Sequence, residues 1–511
     1  MNEIAVGVAA LTEQQVLAVA RHGARVRLDD DARKAIGASR DVIEKLAGDP
    51  QAHYGISTGF GALATKQIAP GDRIALQRSL IRSHAAGSGP EVEREVVRAL
   101  MLLRLSTLAT GRTGVRLETA ETYAAMLNAG ITPVVYEFGS LGCSGDLAPL
   151  AHCALAAMGE GTVRVGDGVR PAADALAAAG ITPVVLREKE GLALTNGVDG
   201  MLGMLTLATC DLALLFRTAD LAAAMSVEAQ LGTDAVFAAD LQALRPHPGQ
   251  ADSAANLRAL LAGSGIMASH RTPQCTRVQD AYSLRCSPQV HGAGRDTLAH
   301  ARLVRDRELA SAIDNPVITL DGRVESNGNF HGAPVGYVLD FLAIAAADLA
   351  SIAERRTDRF LDRARNHGLP AFLADDPGVD SGYMIAQYTQ AALVSELKRL
   401  AVPASVDSIP SSAMQEDHVS MGWSAARKLR RAVDALTQVL AIEILTAARA
   451  LDLRSPLTPA PATAAARDAL RQRVAGPGPD RYLAPDIAAS VELVRSGRLV
   501  AAAEAVCGPL R

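Results

Sequence analysis

A chain of 511 residues is long enough for two or three ordinary domains or one large helical assembly. Hydrophobic residues make up 49% but aromatics only 3%, so the core must be built from Ala, Leu and Val, a composition that favours closely packed helices over strands. The formal net charge of −4 implies no basic face of the kind a nucleic-acid partner demands.

The opening, Met1-Asn2-Glu3-Ile4, lacks the basic and apolar regions of a secretory leader. Residues 1–50 predict a short strand or loop and then two amphipathic helices, with Asp29-Asp30-Asp31 a helix start. Tyr54-Gly55-Ile56-Ser57-Thr58-Gly59-Phe60-Gly61 is a loop, because only Gly makes repeated turns at positive φ without cost. On these residues alone Tyr54 is more often a packing residue than a positioned phenol. His84, in Arg82-Ser83-His84-Ala85-Ala86-Gly87, is by itself an ordinary satisfied core or surface group. A helix over 93–110 follows, with Val96, Leu100, Leu103 and Leu108 near helical spacing.

The stretch with the most chemistry is Gly139 to His152, GSLGCSGDLAPLAH. In Cys143-Ser144-Gly145 the Gly145 nitrogen can attack the Cys143 carbonyl carbon, since Gly has no Cβ to block so tight a bend. Loss of one water from that ring and a second from the Ser144 hydroxyl leaves an exocyclic methylene. Such a group is an electrophile, which the ordinary side chains, acting as nucleophiles, acids or bases, do not supply. The plainer reading of the tripeptide is a loop that ends in a helix N-cap at Asp146.

Further on, 163–171 predicts a small hairpin, and Asn196-Gly197 a turn. Long helices are predicted over 200–231, 334–365, 382–400 and 422–453, which together suggest a bundle buried partly by subunit contact. The apolar run 201–231 is interrupted by Asp211, Arg217, Asp220 and Glu228, so it predicts a buried core helix and no membrane span. Gln279, Tyr282 and Arg285 recur at intervals of three: a plain helix surface, or a carboxylate clamp with a base. Glu325-Ser326-Asn327-Gly328-Asn329-Phe330-His331-Gly332 is a turn-rich loop with Phe330 its apolar anchor. Glu416 and Asp417 suit the start of the long helix that follows. A Pro-rich linker at 455–461 precedes a helical tail over 487–506. Six scattered cysteines have no metal-type spacing and read as reduced, which points to the cytoplasm.

Six of these segments, from Tyr54 to about Leu453, stand in the order found in the aromatic amino acid ammonia-lyases, and the chain resembles that family over nearly its whole length. Members carry methylideneimidazolone (MIO), made from Ala-Ser-Gly; here Cys143 stands where Ala is usual, its side chain outside the ring. The resemblance implies an all-α fold, a long-helix bundle of the fumarase/aspartase-like type over 200–511 with a smaller MIO-bearing N-terminal domain over 1–199. It implies an MIO group formed autocatalytically from Cys143, Ser144 and Gly145, no external cofactor and no metal. It also implies a cytoplasmic homotetramer with active sites shared between chains. His84, the Gln415-Glu416-Asp417-His418 run and Arg245-Pro246-His247-Pro248-Gly249-Gln250 are similar to the members that turn L-histidine into trans-urocanate and ammonia, the first step of histidine degradation. A tyrosine lyase or an MIO-dependent 2,3-aminomutase is the alternative. By the same resemblance Tyr282 takes the β-proton with Arg285 as its neighbouring cation, and Tyr54 handles the amine proton. Arg285 holds the substrate carboxylate, Asn196 and Gln279 orient MIO, Phe330 packs against it, and His84 meets the imidazole. Glu416 binds the imidazole and shares candidacy for the base with Tyr282 and Tyr54.

Overall fold

The computed structural model describes residues 3–273, 275 and 278–511; Met1 and Asn2, the start of the segment read for a leader, lie outside them. The fold is mostly helical with few strands, as expected. Its contacts divide it into two compact units, the first made of residues up to 208, 302–340 and 403–427, the second of 209–301, 341–402 and 428–511. A single cut at 199/200 was expected, whereas these units interleave along the sequence. Four of the five boundaries fall inside the helices Asp199–Ala229, Ser287–Leu309, Ala333–Leu361 and Gly422–Leu453, and the fifth, between 402 and 403, falls in the loop after Met384–Leu400.

In the first unit Ile4–Val6 pairs in parallel with Val26–Leu28. Thr12 opens Glu13–Ala20 through a capping box with Gln15, and Asp29 caps Asp30–Ala47 by accepting the Ala32 N–H at 2.7 Å. Helix Arg94–Ala109 is buried almost all round, and its Arg98 satisfies its guanidinium on the Val19 and Leu127 carbonyls. The expected hairpin is Thr162–Val165 against Gly168–Pro171, extended by Thr132–Pro133 to three strands. Trp423 is buried, and its indole N–H reaches the Glu137 carbonyl at 2.7 Å.

The second unit is built from the remaining lengths of the long helices and the C-terminal tail. Buried charges tie it together. Arg356 pairs with Glu443 in two bonds of 2.6 and 3.0 Å, and Ser226 donates to the same carboxylate at 2.7 Å. Asp220 accepts Ser253, Asn256, His291 and Arg295 at 2.6–2.9 Å. Helix Ser287–Leu309 escapes the sequence reading because its arginines blur the apolar spacing; Arg295, for one, is spent on Asp220. The tail expected over 487–506 is two helices, Ala484–Arg495 and Arg498–Cys507, broken at Gly497. Asp199–Ala229 and Ala333–Leu361 are long and apolar enough to cross a membrane, but 78% and 61% of their apolar windows are buried inside the fold.

Candidate active site

The site grows from the loop between strand Tyr136–Phe138 and helix Leu147–Ala157. Asp146, at the head of the second element, does not cap its own helix. It accepts the N–H groups of Gly200 and Met201, each at 2.9 Å, at the start of Asp199–Ala229, and takes the Ser140 hydroxyl at 2.9 Å. Burial raises its carboxyl pKa to about 7, against the pull of those bonds. The Asp146 N–H donates to the Gly197 carbonyl at 2.7 Å, so two loops distant in sequence run side by side. Gly145, at φ +82°, lies in that seam, where a Cβ would come within 2.0 Å of the Gly197 oxygen.

Within this frame the Ser144 hydroxyl donates to the Asn196 side-chain oxygen at 2.8 Å. Asn196 in turn donates to the Asn315 carbonyl at 2.9 Å. Cys143 is buried and its thiol meets the Glu416 carboxylate; burial first, and then that negative charge, push its pKa up to about 12, so the thiol stays neutral. His84 ends helix Arg73–His84 within reach of the same charge. Burial holds its pKa below the usual imidazole value, with the Leu80 backbone and Glu416 opposing. Cys143, Ser144, Asn196, His84 and Glu416 are therefore brought together in the first unit.

Glu416 does not start a helix. It closes a tight turn in which Ser411 and Glu416 pair through their backbones, while Ser412, Ala413 and Met414 all take positive φ. Ser411 also donates to the Glu416 carboxylate at 3.0 Å. The turn packs on Gly61–Leu63 of the Tyr54 loop, and the Tyr54 hydroxyl accepts the Gly61 N–H at 3.1 Å. A third loop joins through its backbone: Gly332 N–H donates to the Gly142 carbonyl at 3.2 Å, and Ser420 to the same oxygen at 2.7 Å. Phe330 itself is half-buried, two residues before that contact.

Gln279, Tyr282 and Arg285 belong to the second unit. Tyr282 and Arg285 bound one helical turn, with the guanidinium 4.8 Å from the centre of the phenol ring. Tyr282 is 71% exposed, and Gln279 is exposed as well.

Several residues beneath the site carry little local signal. Arg104 donates to the Asn196 and Ala193 carbonyls and to the Ile313 carbonyl, and pairs with Asp199 at 3.3 Å. Lys189 pairs with Asp314. Burial depresses the Lys189 pKa and raises that of Asp199. The one hint in the sequence was Arg104 itself, a charge inside the apolar run Met101-Leu102-Leu103-Arg104-Leu105.

The aromatic amino acid lyase family model matches residues 11–472. The chain belongs to the aromatic amino acid lyase family. Its class as an ammonia-lyase, expected from the resemblance, follows from that membership together with the full-length relatives below. The chain is 67% identical over 513 residues to the histidine ammonia-lyase of Streptomyces coelicolor, spanning all of both proteins. It is 51% identical to that of Sorangium cellulosum, over 96% of this chain and 97% of the other. Among solved structures of the family it is similar to tyrosine aminomutase from Streptomyces globisporus, with a TM-score of 0.94 and 38% identity over the whole of both chains. Histidine ammonia-lyase from Trypanosoma cruzi gives a TM-score of 0.91 at 38% identity, over 99% of this chain and 96% of that one. The expected family resemblance and helical fold are thereby met.

Proposed function

We propose that this aromatic amino acid lyase removes ammonia from L-histidine, giving trans-urocanate, as the first step of histidine degradation. The observation that carries the reading is the convergence of His84 and Glu416 beside Cys143 and Ser144. A carboxylate facing a substrate phenyl ring would lose hydration and gain no partner. Facing an imidazole N–H, it gains a charge-assisted hydrogen bond about twice as strong as a neutral one. His84 serves the other ring nitrogen as donor or acceptor according to tautomer. The 67% identity to a histidine ammonia-lyase points the same way.

The residues at 143–145 fit an MIO group made from the chain. Gly145 has the conformation and the lack of a Cβ that the bend requires, the Cys143 side chain points away towards Glu416, and Ser144 is held by one directed bond to Asn196. Such a group supplies an electrophile for the substrate amine and makes that amine a better leaving group. The rest falls to ordinary side chains. Tyr54, fixed by its bond to Gly61, is assigned the amine proton. Tyr282 is assigned the β-proton, Arg285 the substrate carboxylate, Gln279 and Asn196 the orientation of the reacting group, and Phe330 packing against it. Glu416 binds the imidazole and remains an alternative base.

The proposal includes a cytoplasmic homotetramer with composite sites, in which the Tyr282–Arg285 turn of a second chain and the Phe330 loop of a third complete the centre. The exposure of Tyr282 supports it, because a group that removes a weakly acidic proton works best shielded from water. A tyrosine 2,3-aminomutase is the second reading, favoured by the TM-score of 0.94 but at only 38% identity. Incubation with histidine, tyrosine and phenylalanine in turn separates the two. Urocanate from histidine, with little turnover of the others, is expected; conversion of tyrosine with histidine left intact would overturn the assignment.

A further inference from the structure

Asn196 is gripped from both sides. Its backbone carbonyl takes the Arg104 guanidinium, and its side-chain N–H donates to the Asn315 carbonyl at 2.9 Å. That leaves its oxygen turned to Ser144 at 2.8 Å. The two ends of a carboxamide are not interchangeable. Turned over, the Asn196 oxygen would face the Asn315 carbonyl oxygen, two acceptors with no proton between them. The Asn315 carbonyl therefore decides which end of Asn196 the Ser144 hydroxyl meets.

An ion pair helps to hold the residue that carries that carbonyl, beside Asn327, which donates to the Asn315 side-chain oxygen at 3.1 Å and to the Asp314 carbonyl at 3.0 Å. Asp314 accepts the Asn315 N–H at 2.7 Å on one oxygen and pairs with Lys189 on the other. Arg104 fixes the preceding residue by donating to the Ile313 carbonyl at 3.0 Å. The side chains of Arg104, Lys189 and Asp314 have no solvent exposure. Lys189 also holds a φ of +72°, a left-handed conformation that a residue with a Cβ adopts only against strain. Desolvating two charges offsets most of their attraction, and apolar pairs of similar volume are often as stable, so stability alone does not account for this pair.

We infer that Asp314, whose buried charge Lys189 neutralises, and Arg104 are positioning residues that orient Asn196, and through it Ser144, for ring formation by Cys143-Ser144-Gly145. This rests on the MIO reading. The test replaces the ion pair as a unit, so that no buried charge is left alone, and reads intact mass at intervals after refolding. In Lys189→Met/Asp314→Leu the Asn315 N–H loses its acceptor and Asn196 is free to turn. The species lighter by two waters should then appear about tenfold to a hundredfold more slowly, the penalty of a misplaced group, with the melting temperature little changed. In Lys189→Met/Asp314→Asn the acceptor is kept, and the light species should return at nearly the unsubstituted rate. If both double variants lose their two waters as fast as the unsubstituted protein, the ion pair is structural only and the inference falls. An unsubstituted chain at full mass would instead overturn the MIO reading itself.

Discussion

The Asp146 carboxylate caps the helix that begins at Asp199, accepting the Gly200 N–H at 2.9 Å, while its own helix goes without a side-chain cap. This ties the Ser144 loop to the core of the first unit. Asp146→Ala leaves the Gly200 and Met201 N–H groups buried and unpaired, so a loss of about 2–3 kcal/mol is expected from denaturant midpoints.

The same residue gives a pH signature. Burial raises the Asp146 pKa from 3.8 to about 7, so its contribution is fully present below the unfolded value and is lost as pH rises through the folded one. Asp146→Asn keeps an acceptor for the helix but cannot ionise. The stability difference between unsubstituted and Asn proteins should therefore shift in favour of Asn between about pH 4 and pH 7, and stay flat below. A difference that is constant with pH would show that Asp146 ionises normally in the fold.

Ser144→Ala removes the hydroxyl that must leave as water. The variant should fold and carry the full mass of its own sequence, whereas the unsubstituted protein should be lighter than its sequence by two waters. Histidine turnover should fall by several orders of magnitude, as when a covalent catalyst is deleted. Appreciable turnover by this variant would rule out a Ser144-derived electrophile.

Glu416→Gln preserves shape and removes the charge that faces His84 and Cys143. Loss of a positioned acid–base group predicts a fall of roughly two to three decades in kcat/KM for histidine. Activity within a factor of a few of the parent would reduce Glu416 to a residue that shapes the 411–416 turn.

What the sequence disclosed follows the range of each interaction. Asp29 as a cap and the 163–171 hairpin are decided by near neighbours, and each could be read from a few residues. Asp146 was misjudged because its partners lie 54 and 55 residues away and local spacing favoured its own helix. Lys189 and Asp314, 125 residues apart, carried no signal in their own segments. Glu416 was read plainly as a helix-start residue, but the helix opens only at Gly422, after a turn whose three positive-φ residues include no glycine.

The last prediction concerns Tyr282. In the single chain it is 71% exposed, with Arg285 over its ring and the neighbouring Val278 92% exposed. An apolar residue and a candidate base so open to water call for a covering surface, and the exposed Tyr337, Phe341 and Ile344 on one helix offer a symmetric assembly more of the same. If the cover is another copy of this chain, Ser144 and Tyr282 of one working site come from different chains. Ser144→Ala and Tyr282→Phe should each be nearly inactive alone. Unfolded together and refolded as mixed tetramers, some sites would pair an intact Ser144 loop with an intact Tyr282, and a sizeable fraction of activity should reappear. The mixing ratio supplies the control, since activity should peak near equal amounts and vanish at either extreme. If mixed tetramers form and no activity returns at any ratio, both groups act within one chain and the shared-site proposal is wrong.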